Sequence, residues 1–188
     1  MALDPIPSST GRRPAKFLPM NRVLVRRLLT ISLFVFGAYG LSHQGEGSLI
    51  DGVDLAIHET GHLLFGPFGE FVGFAGGTIF QLLMPALFVG YFYRRGDHYA
   101  ASVALWWVAQ NCGHIAVYVA DARAQELPLV GGGEHDWEYL LIRLGHLAHD
   151  QGIARGITSA GYLVLFVATA WGLAAAGRRA PDIEPADA

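Results

Sequence analysis

Four windows of this chain contain no Asp, Glu, Lys or Arg: Leu28–Gly45, Phe71–Tyr93, His98–Ala120 and Gly156–Gly177. A helix needs about 17–25 mainly apolar residues to cross the hydrocarbon layer of a bilayer, and each window is that long. Inside lipid, a single segment can satisfy its own backbone N–H and C=O groups only as a helix. The expected fold is therefore an all-α, polytopic membrane helical bundle with the lipid bilayer as its solvent. Composition supports this, because only 15% of the residues are charged, against about 25% in an ordinary soluble domain. The mean hydropathy is +0.34. A net charge of -3, with no basic face carrying interleaved aromatics, argues against a nucleic-acid partner. Cys112 is the single cysteine, which excludes an internal disulfide and any cysteine-cluster metal site.

The ends read as tails. Residues 1–20 are rich in Pro, Ser and basic residues, as expected of a disordered basic tail, and residues 178–188 form a polar C-terminal tail. Residues 21–177 then make one membrane-embedded helical domain. Arg22, Arg26 and Arg27 lead into "LLTISLFVFGAYGL", which has the basic and apolar regions of a signal peptide. Ala38-Tyr39-Gly40 is a poor cleavage site, so a retained signal-anchor helix is expected.

Between the second and third windows lies only "RRGD", the mark of a tight antiparallel hairpin. Arg94 and Arg95, the N-terminal cluster and Arg178-Arg179 should all face the cytoplasm. Those three clusters reach one side if the segment 51–76 enters the membrane and returns, rather than crossing. The expectation is four full spans plus one re-entrant helix opening to the outer face. The N-terminus would be cytoplasmic, in the inner (plasma) membrane of a bacterium.

That re-entrant segment carries "DLAIHETGHLLFG", Asp54 to Gly66, with His-Glu-x-x-His at its centre. On a helix, positions i and i+4 share a face one turn apart, so His58 and His62 can both reach one metal ion. Glu59 is rotated by about 100° from His58, which takes it off the ligand face and leaves it free to hold a water activated by zinc. Zinc brings the pKa of such a water near 7, and the carboxylate can accept its proton. Thr60 and Gly61 are small enough for another segment to approach closely. The bland alternative is a pair of hydrogen-bonded core histidines, but ionisable groups inside membrane segments are costly and usually mark function.

A membrane-buried His-Glu-x-x-His followed by a Gly-rich stretch resembles the site-2 protease family of intramembrane zinc metalloproteases. The likeness covers residues 51–121, and its specific part is the pentapeptide. The resemblance implies zinc held by His58 and His62, Glu59 as general base, and a third ligand from an Asp on a later span. Here Asp121, in "YVADARAQELP", is the acidic residue at the end of a later window, followed by Ala where the family has Gly.

The third ligand has several candidates. Asn111, His114, Tyr118 and Asp121 share an arc of about 80° on one helix. For Asn111 and Tyr118 an interhelical hydrogen-bond seam is the expected role, and His114 is expected too deep to meet a site near the outer face. After three glycines at Gly131–Gly133, which suggest a mobile loop, comes "EHDWEYLLIRLGHLAHD". Trp137, Leu140, Leu141 and Leu144 mark one face of an interfacial helix, with Asp136 as its N-cap. The ranking for the third ligand is Asp121, then His135, then Asp136. His146, His149 and Asp150 have ligand-like spacing but are expected to form a solvated polar face.

The expected activity is that of a zinc-dependent metallopeptidase acting on a membrane-associated or periplasmic polypeptide substrate. The alternative is a non-proteolytic membrane protein binding a metal or haem for transport, redox or assembly. Glu59 favours hydrolysis, because metal binding alone has no use for a carboxylate off the ligand face. The sequence leaves the substrate and any partner subunit open.

Overall fold

The structure, a computed structural model, describes residues 18–43, 49–128 and 133–180. The expectations of a disordered tail at 1–17, of a polar tail at 181–188 and of mobility at Gly131 and Gly132 fall outside those residues. Every regular element described is a helix: α1 (Met20–Ser42), α2 (Leu49–Phe65), α3 (Glu70–Arg94), α4 (His98–Ala120), α5 (Asp136–Arg143) and α6 (Asp150–Ala175). Short 3-10 turns lie at Gly66–Phe68 and Leu147–His149.

Helices α1, α3 and the Leu147–Ala175 stretch are long and apolar enough to cross a membrane, which fits an integral membrane protein. Their outward faces carry Leu24, Leu28 and Phe36 (α1), Leu83 and Leu87 (α3), and Leu163 and Phe166 (α6), all exposed. So much large apolar surface is intolerable in water and ordinary against lipid. Four full spans were expected, and α4 is the helix that does not meet the apolar measure. It has 23 residues, but Ser102, Gln110 and Asn111 are among its buried ones. The reason is its position. It packs against α1, α3 and α6, so its sides meet protein rather than lipid and can carry polar groups.

Two apolar clusters fix this arrangement. Leu41, Trp106, Ala109, Leu165 and Ala168 join α1, α4 and α6. Ile115, Val119, Ala122, Leu141 and Ala154 join the far end of α4 to α5 and α6. Trp106 also donates its indole N–H to the Leu33 carbonyl at 2.7 Å.

The expected "RRGD" hairpin is present. Gly96 takes a positive φ of 73°, and the Asp97 side chain caps α4 by accepting the Ala100 N–H at 3.1 Å. Beside it, Arg26 donates to the Arg178 carbonyl at 2.8 Å, and its guanidinium lies 4.5 Å from the Tyr99 ring centre. The three basic clusters therefore share one end of the bundle. Asp121, α5 and the C-terminal end of α2 lie at the other.

Helix α2 packs along α3. The expected re-entrant path of 51–76 is not seen: α2 ends in a tight turn at Gly66–Phe68 and the chain passes straight into α3. Gly69, at φ 109°, completes the turn, and Glu70 already begins α3. Asp51 was expected at the outer face beside Asp121. It lies instead 2.8 Å from His114 Nε2, six residues or about 9 Å inward from the end of α4. Helix α5 docks on the same end as the motif. Its Tyr139 ring stacks on Phe74 at 4.0 Å, while Leu140 and Leu141 are buried and Leu144 is exposed.

Candidate metal centre

His58 and His62 fall one turn apart on the face of α2 that meets α3. Contact between these helices is close because both present glycine. A Cβ added at Gly76 would sit 2.8 Å from the Gly61 carbonyl oxygen and 2.6 Å from Phe65 Cβ. Gly61 therefore has the close-approach role expected of it. Thr60 does not, since it is exposed and its hydroxyl turns back to the Ala56 carbonyl at 2.7 Å.

This contact orients both imidazoles. His62 Nδ1 lies 2.8 Å from the Gly73 carbonyl oxygen, and His58 Nδ1 lies 3.1 Å from Gln81 Oε1. A carbonyl oxygen can only accept, so each Nδ1 carries the proton. In the neutral ring, Nε2 is then the free donor atom. Both Nε2 atoms converge on Asp136 Oδ2, at 2.9 Å for His58 and 3.2 Å for His62. Ligand atoms of these three residues all lie within 4.8 Å of one another. An imidazole held at Nδ1 by an oxygen and free at Nε2 is the usual setting of a metal-binding histidine.

The surroundings favour a charged donor set. His58 and Asp136 are buried and His62 is half-buried. Burial works against the Asp136 carboxylate, but hydrogen bonds from the imidazolium forms of His58 and His62 outweigh it and hold its carboxyl below the ordinary range; an ion bound among the three would displace those Nε2 protons. Gly77 keeps the space between the rings open. A Cβ there would collide with His58 Nε2 and sit 2.6 Å from His62 Nε2. Two imidazole nitrogens and a carboxylate oxygen suit zinc, with coordination positions left over. Glu59 is exposed and stands outside this group of three, as its rotation on the helix predicts.

The other expected ligands lie elsewhere. Asp121 caps α4 and accepts the N–H groups of Glu126 at 2.9 Å and Leu127 at 3.1 Å. His135 is the N-cap of α5, its Nδ1 accepting the Glu138 N–H at 3.3 Å, and its Nε2 faces Asp121 Oδ2 at 3.4 Å. The expected roles of His135 and Asp136 are thus exchanged. Cap preferences favour Asp over His, so the sequence pointed to the wrong member of the pair. With His135 as cap, Asp136 becomes the first helical residue and turns toward α2.

Tyr118, expected in a structural seam, borders the site. Its hydroxyl accepts the Asp136 N–H at 3.3 Å, and its ring lies 5.9 Å from that of His58 and 4.2 Å from that of His135. His114 stays out of the cluster and forms one of its own with Asp51 and Asp54, at 2.8 and 3.1 Å. Trp107 donates its indole N–H to Asp54 Oδ1 at 2.8 Å. Asn111 bonds within its own helix, to the Trp107 carbonyl at 3.1 Å. The His146 and His149 rings meet edge-on at 5.8 Å, while Asp150 is taken by a two-pronged bond from Arg123, at 2.7 Å on both prongs. Among the described residues, His58, His62 and Asp136 are the one group of three His, Cys, Asp or Glu side chains placed so that they could hold a metal ion.

No family model, curated protein or solved structure matches the chain.

Proposed function

We propose that this protein is a membrane-embedded zinc metallopeptidase, of the kind its pentapeptide resembles in the site-2 protease family. The observation that carries the reading is the convergence of two Nδ1-tethered imidazoles and one buried carboxylate, on a site whose helix α2 also carries the motif glutamate. His58, His62 and Asp136 would hold the ion. Bound there, zinc supplies a Lewis acid that polarises a peptide carbonyl and makes a water acidic near pH 7.

Glu59 does the proton work. Its carboxylate takes the proton of the attacking water and returns it to the departing amine nitrogen. Its exposure on α2 leaves it open to a substrate approaching from that side. The substrate class is a polypeptide reaching the bilayer. Helix α4, shielded by its neighbours, would be the fourth span. The basic clusters at one end support a cytoplasmic N-terminus, with the metal centre toward the outer face of a bacterial inner membrane.

One feature favours the alternative of a non-proteolytic metal- or haem-binding protein. The Asp51, Asp54 and His114 cluster puts further ionisable groups on α2 and α4, inward from the metal centre, as proton and ion pathways do. Glu59→Gln separates the readings. For a peptidase, purified Glu59→Gln protein keeps its zinc and loses cleavage of a peptide library. Cleavage that survives the substitution would rule out the proposed role of Glu59 and with it this mechanism.

A further inference from the structure

Asp136 is an unusual place for a third donor. It opens a helix of only 8 residues, preceded by a loop, whereas its two partners sit on a 17-residue helix wedged against α3. Something must hold Asp136 Oδ2 at the meeting point of the two imidazoles. Two residues adjoin its backbone and a third stands behind one of them, and all three were candidates for other roles.

The Tyr118 hydroxyl accepts the Asp136 N–H at 3.3 Å. The neighbouring His135 caps α5 through Nδ1, which fixes the first turn in which Asp136 sits. A ring nitrogen that accepts an N–H carries no proton, so the proton of neutral His135 is on Nε2. That atom is buried and, by strict geometry, without a hydrogen-bond partner. It faces Asp121 Oδ2 at 3.4 Å. Asp121 in turn gathers the N–H groups of Glu126 and Leu127, which secures the start of the loop leading to α5. The Tyr118 ring lies 4.2 Å from that of His135 and 5.9 Å from that of His58, so the side chain that holds the Asp136 N–H also borders His58.

We propose that Tyr118, His135 and Asp121 are positioning residues for Asp136: they are not ligands, and they set the place of the third ligand. A wholly buried imidazole facing a buried carboxylate is costly if it serves packing alone. Its placement directly behind a donor gives it a use. The inference rests on the metal-binding reading above, and it predicts graded rather than all-or-none effects. Removing a residue that orients a ligand typically weakens metal affinity by about 10–100-fold, while removing the ligand abolishes the site.

The test uses the full-length protein in detergent, loaded with Co2+ as a spectroscopic substitute for zinc. Wild type, Asp136→Ala, Tyr118→Phe and His135→Asn are compared by Co2+ affinity and by the visible absorption spectrum at saturation. Tyr118→Phe removes one oxygen and keeps the ring, so it is the decisive variant if His135→Asn folds poorly. The expected result is loss of binding in Asp136→Ala. In Tyr118→Phe, affinity falls by about tenfold or more, with unchanged stoichiometry and a shifted spectrum. Wild-type affinity and spectrum in Tyr118→Phe, with binding lost in Asp136→Ala, would overturn the positioning role and leave the metal centre standing. Undiminished binding in Asp136→Ala, or none in the wild type, would remove the metal centre itself and the positioning role with it.

Discussion

Asp136 Oδ2 lies 2.9 Å from His58 Nε2, across 78 positions of sequence. That contact joins the first turn of a short helix to the middle of the motif helix, and it makes three donors out of two. Everything that brings α5 onto α3 serves it: Tyr139 stacked on Phe74, and Arg143 reaching Glu70 at 3.6 Å.

The open space between the two imidazoles depends on Gly77, because a Cβ there meets both Nε2 atoms. We predict that Gly77→Ala displaces at least one ring and lowers zinc affinity at least tenfold, since a ligand moved by a few tenths of an ångström leaves the range of zinc–nitrogen bonds. Titration calorimetry of the purified variant checks this. Gly90→Ala, on the same helix and with open space around its Cβ, is the control and should bind as wild type does.

His114 is the partner of Asp54, whose side chain is only 2% exposed. His114→Leu leaves that buried carboxylate to the Trp107 N–H alone. Leaving a buried polar group without one of its partners typically costs about 1–3 kcal/mol, so a fall in thermal stability in detergent is expected. Adding Asp54→Leu should recover part of the loss, because it removes the buried polar group left without its partner. Equal stability of His114→Leu and wild type would mean that the cluster holds α2 in place only weakly.

Topology has its own test. The basic clusters gather at the Tyr99 end, and Asp121, α5 and the motif lie at the opposite end. Single cysteines at Gly96 and Gly133 in a Cys112→Ser background should react differently with an impermeant thiol reagent on intact cells, Gly133 labelling and Gly96 staying protected. The reverse pattern would turn the protein over in the membrane and put the metal centre on the cytoplasmic side.

Much of this arrangement is legible in the sequence, for physical reasons. Apolar windows report lipid contact, so α1, α3 and α6 declare themselves. The His58 and His62 spacing reports one helical face, and Gly61 reports a close neighbour. Two things are not legible. Helix α4 is shielded by other helices, so its composition reflects protein packing and understates its place in the bundle. The third donor depends on which of two adjacent residues caps α5. Asp is the better cap in isolation, but His135 takes the position because its ring is enclosed by Tyr118 and faces Asp121. That choice is made by tertiary contacts, and it brings Asp136, ranked last of the three, into the group with His58 and His62.

The most direct measurement is the zinc content of purified wild type, Asp136→Ala and Asp121→Ala at equal, saturating zinc. Asp136 and Asp121 are both buried acids at the same end of the bundle, so the comparison isolates which one is the donor. The account predicts about one zinc ion per chain in wild type and in Asp121→Ala, and none above background in Asp136→Ala. Zinc retained by Asp136→Ala but lost from Asp121→Ala would contradict it.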